Sequence, residues 1–344
     1  MKVVMIGHSG VGKTTYMAAA YQALHNGPLF FRKQDYCGFG VTSHNSDDHK
    51  RLIKLGKMVA SGNYPTATDQ RSQYSFQLTF SRPGFIFKNH DNLKSFVWSD
   101  YRGGALNERI SESQEADSLQ EDLSNADAII VFADVNALQT RKADRIKREI
   151  KRLSIMLTDA ATRQTRSLPV VIAFTKSDLL PPGGCVSEDL FAQFGSMIDV
   201  MSASDKIIST HVCIACGRRP LNVCIPLLFV LSWHIRLQHY HIGEKIKLLE
   251  KSSNEATIQS DKYASTAAEW GGLNGFWNST VCTFTGEKSI LKSRDEHKEK
   301  ALKLVLKAQQ KQQEISPLVE PANRALEICG NLPLIGRHPL LVKK

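Results

Sequence analysis

Short runs of continuous apolar residues alternate with helix-period segments through about residue 240. Lys2–Ile6 is apolar and β-branched, Ser95–Ser99 is largely apolar, and Ala128–Ala133 (AIIVFA) and Val170–Phe174 (VVIAF) are uninterrupted. Tyr74–Phe80 alternates apolar with polar, and Ile207–Ala215 is a weaker run. Continuous apolar strands predict a sheet covered on both faces. Between them, Thr14–Leu24 is rich in helix formers. Arg141–Leu157 places Ile146, Ile150, Leu153 and Leu157 on one helical face. Its opposite face carries Arg141, Lys142, Arg145, Lys147, Arg148, Lys151 and Arg152, the pattern of a solvated face. Strands separated by helices predict an α/β fold with a mostly parallel, doubly wound sheet.

Two stretches depart from a minimal α/β pattern. Gly27–Arg71 is a polar insertion between the first helix and the second strand, and it predicts one short helix over Asp48–Ala60. Residues 241–344 follow the α/β region as a largely helical, basic extension, its start marked near Gly243. It contains a Gly/aromatic stretch from Trp270 to Trp277. A capping-box pattern at Ser293–Glu296 predicts a helix running to about Ile315 and stopping before Pro317. The expected division is therefore 1–240 and 241–344.

Composition narrows the class. With 344 residues, 42% hydrophobic and 23% charged, the chain has material for a sizeable core and is not a disordered polymer. Seven cysteines exclude a small disulfide scaffold and favour a reducing compartment. Val223–Ile235, the longest apolar stretch, is interrupted by Pro226 and His234 and falls short of the ~20 residues of a membrane span. The expectation is a soluble, intracellular (cytoplasmic) protein. The net charge is +10, and Glu287–Lys344 holds 12 Lys/Arg against 7 Asp/Glu, a net of +5. That excess is compatible with nucleic acid, anionic lipid or an acidic protein. No aromatic stacking platform accompanies the Lys298–Lys311 face, so nucleic acid finds no second support.

Three motifs carry chemistry. Gly7-His8-Ser9-Gly10-Val11-Gly12-Lys13-Thr14 follows a predicted strand and opens a predicted helix. Glycines there let backbone N–H groups wrap phosphates, and the helix N-terminus adds partial positive charge. Gly7, Ser9, Gly10, Val11, Gly12, Lys13, Thr14 and Thr15 are the expected phosphate contacts. Lys13 would reach the β- and γ-phosphates, and the Thr14 hydroxyl would meet Mg²⁺. The second motif is Asp100-Tyr101-Arg102-Gly103, after Ser95–Ser99. A carboxylate at the C-terminal end of a parallel strand faces the ligand crevice, so Asp100 would hold Mg²⁺ and the Gly103 N–H would approach a γ-phosphate. The third is Thr175-Lys176-Ser177-Asp178, after Val170–Phe174. The Asp178 carboxylate can accept from guanine N1–H and its 2-amino group, a pairing adenine lacks, while the Lys176 stem lies along the base. Cys213-x-x-Cys216, with Cys224 and His211 nearby, supplies one clean ligand pair where a four-ligand zinc site needs two, and reads as buried thiols.

In this order the three motifs resemble those of P-loop GTPases of the Ras-like, TRAFAC class, over about residues 1–240. Gly7–Thr14 is similar to the phosphate loop, Asp100–Gly103 to the second switch, and Thr175–Asp178 to the base-recognition motif, with Thr where Asn is commoner. Ala215 in Ile214-Ala215-Cys216 stands nearest the last base-contacting segment. The DYRGG form, the Gly62-x-x-Pro65-x-x-Thr68 stretch and the NVCIPLLF run look similar to bacterial double-GTPase domains of conflict and signalling systems. The resemblance implies a Ras-like G domain and a molecular switch. Its cofactors would be Mg²⁺ and GTP/GDP, and its partner a protein effector or activator. It also implies a first-switch Thr on Mg²⁺: Thr68, with Thr42 and Thr66 as alternatives. The Gln that orients water in Ras-like enzymes is replaced by Gly104, so hydrolysis would need Arg102, His8 or a group supplied in trans, and would be slow alone. The expected catalytic set is Lys13, Asp100, Arg102 and Gly103. An adenine-nucleotide P-loop ATPase, with Asp178 a bystander, and a scaffold or nucleic-acid-associated module that holds nucleotide without turnover remain open alternatives.

Overall fold

The computed structural model describes residues 1–25, 39–66, 72–80, 91–101, 104, 113–138, 143–164, 166–180, 188–271, 287–330 and 332–335. Its residues cluster into two compact units: Met1–Ile235 with Glu320–Lys344, and Arg236–Val319.

The first unit is built on one sheet. Its strands are β1 (Lys2–Ile6), β2 (Phe39–Ser43), β3 (Ser72–Phe80), β4 (Asp91–Asp100), β5 (Ala128–Asp134), β6 (Leu168–Thr175), β7 (Ile207–Cys213) and β8 (Leu334–Ile335). Their order is β2-β3-β4-β1-β5-β6-β7-β8. Strands β4, β1, β5, β6 and β7 run parallel to one another, while β2, β3 and β8 add antiparallel pairings at the two edges. The mostly parallel α/β expectation holds. Every residue of β5 and β6 is buried, as their unbroken apolar runs require.

The helices of this unit are α1 (Lys13–His25), α2 (Ser46–Ala60), α3 (Gln114–Ser124), the short α4 (Val135–Leu138), α5 (Ala143–Arg163), α6 (Glu188–Ala192) and α7 (Gly195–Ala203). Alternate residues of each strand serve opposite faces. On one face Ile129, Val131, Val170 and Ile172 pack with Leu119 of α3, Ile150, Leu153 and Leu157 of α5, and Met197 and Met201 of α7. An aromatic cluster belongs to the other odd–even set. Tyr16 of α1 lies 5.1 Å from Phe132 and 5.9 Å from Trp98 between ring centroids, and Phe76 meets Tyr21, Phe96 and Trp98. Both faces are therefore covered, which fixes the sheet edge as the place for a ligand.

Three expectations are corrected. The stretch over 27–71 was read as holding a single helix, but it also contributes β2, an edge strand whose Gly40, Thr42 and Ser43 disguise it. Gly243 lies inside α8, which runs unbroken from Ile225 to Gly271, and the compact units divide within that helix after Ile235. The last helix, α9 (Glu287–Ile328), starts before Ser293 and passes through Pro317 and Pro321. Proline at 317 removes one N–H from the ladder, but Gln313, whose carbonyl is left over, is exposed to water. The neighbouring Ser316 hydroxyl donates to the Gln312 carbonyl at 2.8 Å.

The start of α8 belongs to the first unit, where Leu227–Leu231 are buried. Residues after Glu320 also return to that unit, although the sequence reading placed them in the extension. There β8 pairs with β7, and the Ser209 and Thr210 hydroxyls donate to the Ile335 and Pro333 carbonyls. In the second unit the helical segments bury Ile246, Val305 and Ala308. No helix among the described residues is long and apolar enough to cross a membrane.

Candidate functional site

The C-terminal ends of β1, β4, β5 and β6 lie side by side. Met5 is in register with Asp100, Ile6 with Val131, and Asp134 with Thr175. Register alone thus gathers the three motifs, which are separated by more than 160 residues of sequence, at one edge of the sheet.

The loop after β1 closes tightly. A Cβ on Gly7 would come within 2.9 Å of the Phe132 carbonyl oxygen, so no larger residue fits without backbone movement. Gly12 has φ +99°, a conformation that other residues rarely adopt. Lys13, the first residue of α1, folds back over the loop, and its ammonium donates to the Gly7 carbonyl at 2.8 Å and the His8 carbonyl at 3.2 Å. Burial lowers its pKa, while the negative charges of Asp100 and Glu115 oppose that shift.

Asp100 ends β4 beside the loop. The Thr14 hydroxyl donates to its Oδ2 at 2.6 Å. Its Oδ1 is buried with no partner among the described residues. Burial pushes the carboxyl pKa up, against the Thr14 hydrogen bond and the charges of Lys13 and Arg51. A hydroxyl beside a buried carboxylate with a spare oxygen is a donor set suited to a hard divalent cation. Thr14 and Asp100 would hold Mg²⁺, which supplies charge neutralisation to phosphate oxygens.

Thr175 ties the third motif to the first. Its hydroxyl is buried and lies 2.8 Å from the Val11 carbonyl and 3.2 Å from that of Ala133. Lys176 adopts a left-handed conformation (φ +58°) and pairs with Asp134 Oδ2, whose Oδ1 accepts from the Ala137 N–H. Asp134 went unnoticed in the sequence because it closes an apolar strand without any motif around it. Asp178 is exposed and lines the same cleft.

That cleft has a volume of about 420 Å³, within the range of small-molecule sites. Ser9 through Thr15, Lys176, Asp178 and Cys216 all line it. Three expectations meet the geometry differently. Ala215 is absent from the lining. Its N–H is taken by the Leu221 carbonyl, and Cys216 and Gly217 face the cleft instead. His8 also stays outside the lining, its Nδ1 2.8 Å from the Ser9 carbonyl oxygen. Among the first-switch threonines, Thr66 lines the cleft, and Thr42 sits on β2 opposite Gln77. Thr68, Arg102 and Gly103 lie outside the described residues. Tyr64, Tyr101 and Asn136 also line the cleft. The sequence offered signals for the first two, Tyr64 through its place within Gly62–Thr68 and Tyr101 through its place in Asp100–Gly103, and none for Asn136.

A sequence model described as Double-GTPase 2 matches residues 2–213. The chain belongs to that family. The matched span contains all three motifs and ends at the last residue of β7. Membership makes the chain a P-loop GTPase of the double-GTPase type. No curated protein matches the chain. A solved structure described as the signal recognition particle receptor SRb-GTP/SRX complex from Chaetomium thermophilum is similar at 16% identity and a TM-score of 0.37. The match covers 62% of this chain and 90% of that one.

Proposed function

We propose that this protein is a Mg²⁺-dependent switch that binds GTP and hydrolyses it slowly unless a partner assists. The observation that carries the reading is the shared cleft, in which Lys13 and Thr14 stand with the base-recognition carboxylate Asp178. Backbone N–H groups of Gly10–Thr15 and the α1 N-terminus would receive the phosphates. Lys13 would exchange its two loop carbonyls for phosphate oxygens. Thr14 and Asp100 would hold the cation, and Asp178 would select guanine by accepting from N1–H and the 2-amino group.

Gly104 has no side chain to orient an attacking water. His8 lies outside the cleft lining, which leaves Arg102 or a residue supplied in trans as the completing group. The γ-phosphate would order the segment through Thr66 and Thr68 and the loop after Asp100, so the two nucleotide states differ in contacts. Resemblance to double-GTPase domains supports a place in a bacterial conflict or signalling system. An affinity panel of GTP, GDP, ATP and ADP, with and without Mg²⁺, tests the reading. Guanine preference that shifts to xanthine nucleotides in Asp178→Asn is expected. Equal or tighter adenine binding would overturn it.

A further inference from the structure

The turn after α2 and the loop before α8 interlock across the cleft. Both supply lining residues: Tyr64, Pro65 and Thr66 from the turn, Cys216 and Gly217 from the loop. Two contacts join them. The Arg218 guanidinium donates from Nε to the Ser61 carbonyl at 3.1 Å. The Tyr64 hydroxyl lies so close to Gly217 that a Cβ there would stand 2.5 Å from it, with the ring Cζ at 3.7 Å. Gly62 lets the turn pass under Arg218, because its φ of +86° is open to glycine and a Cβ would meet Nε at 2.8 Å. Tyr64 is 58% exposed, so the protein core does not hold the ring in place. Its hydroxyl end packs against Gly217.

We infer that these contacts form a clasp: Arg218 is a positioning residue that seats Tyr64 over the cleft, and the clasp sets how long a nucleotide stays bound. The inference rests on the nucleotide reading above and adds to it a control on release. Its chemical basis is the neighbourhood of Tyr64. The ring shares the cleft with Leu179 and with Lys176 and Asp178, the two groups assigned to the base. An aromatic ring beside a purine contributes stacking, which is indifferent to the charge on the distant phosphates. The clasp therefore acts equally on di- and triphosphate. It also joins the base-recognition side to the segment leading toward Thr68, so that opening one wall loosens the other.

The test is the release rate of tritiated GDP from the full chain, chased with excess unlabelled GDP in Mg²⁺. Arg218→Ala removes the donor to Ser61 and is expected to accelerate release about three- to tenfold, the range for losing one exposed hydrogen bond and the ring it positions. Release of a non-hydrolysable GTP analogue should accelerate by the same factor. Gly217→Ala, at ordinary backbone φ, should displace the Tyr64 hydroxyl and also speed release. Tyr64→Phe removes the clashing oxygen and leaves the ring carbon at ordinary contact distance, so the double variant Gly217→Ala/Tyr64→Phe should recover slow release. Because the two residues touch, their effects should be non-additive; thermal unfolding of each variant, run alongside, separates faster release from general destabilisation.

Wild-type release rates in Arg218→Ala and Gly217→Ala would overturn the clasp. So would a Gly217→Ala defect that persists undiminished beside Tyr64→Phe. If the wild type retains ATP instead of GDP, the guanine reading fails. The same series run with tritiated ADP then decides the clasp by the same criteria.

Discussion

Asp100 carries a buried negative charge that the protein alone does not fully satisfy, and replacing it with asparagine should move stability and binding in opposite directions. The carboxylate is 1% exposed, one oxygen accepts from Thr14, and the other has no partner among the described residues. Leaving a buried polar atom unpaired costs about 1–3 kcal/mol. Asparagine keeps the Thr14 bond and still leaves one buried atom unpartnered, but it removes the desolvated charge; set against the lost support for Lys13, the net gain is about 1 kcal/mol. For a domain of this size that raises the melting temperature by about 2–4 °C. The sign can be checked with pH. Burial raises the folded-state pKa of Asp100, so the folded state holds its proton more tightly than the unfolded chain. Its contribution to stability is present below the ordinary carboxylate range and is lost as pH rises through the raised folded value. The advantage of Asp100→Asn should therefore be small at pH 4 and full at pH 7.5. In Mg²⁺ and GTP the order should reverse, because a ligand at 100 times its Kd stabilises the wild type by about 2.7 kcal/mol and the variant loses its cation ligand. Thermal unfolding in EDTA and in Mg²⁺·GTP reads both arms. A variant that melts below the wild type in EDTA at pH 7.5, or that keeps the full Mg²⁺·GTP shift, refutes the reasoning.

Three further outcomes are expected. Thr175→Val leaves the Val11 and Ala133 carbonyls short of a donor, so it should cost about 1–3 kcal/mol in urea unfolding and weaken nucleotide binding. Thr175→Asn should restore part of both. Tyr16→Phe removes the hydroxyl that accepts from the Leu227 N–H, one of the donors a helix start cannot satisfy internally, and should lower stability by about 1–3 kcal/mol. Burial, with the charge of Asp178 adding to it, pushes the Cys216 thiol up to about 12. Iodoacetamide at pH 8 should leave the Cys216 peptide unlabelled in native protein and label it only after unfolding, as mass spectrometry would show.

Most of the central sheet and the glycine loop before α1 could be read from the chain because each rests on local signals. Strands β5 and β6 are buried on both faces and so cannot hide among polar residues, and the glycine loop is tied to the helix it opens. What was missed depends on contacts far apart in sequence. The edge strand β2 is exposed to weaker constraints and carries Gly40. β8 is two residues long and exists through its pairing with β7. Asp134 acquires meaning only when the parallel register sets it beside Thr175 and Lys176. The expected end of α9 at Pro317 failed because proline's cost falls where the freed carbonyl meets water. Ala215 was implied by the family resemblance, but its backbone is engaged with Leu221, and the cleft is lined from one residue later.

The two parts of the cleft are held by different physics. Around Gly7–Thr14 the protein buries opposite charges: the ammonium of Lys13 is pushed toward neutrality by burial, and so is the carboxylate of Asp100. Each would be more comfortable in water, and each restrains the other's shift. Charges already stripped of water need no further desolvation when a phosphate or cation arrives, so their interactions are strong. Around Asp178, Tyr64 and Arg218 the groups are exposed, and their contacts are hydrogen bonds and ring packing. On the proposed reading, stability is sacrificed where a triphosphate would be gripped, and the nucleoside side would be left free to open. A site divided in this way allows exchange by loosening the exposed wall while the buried charges stay in register.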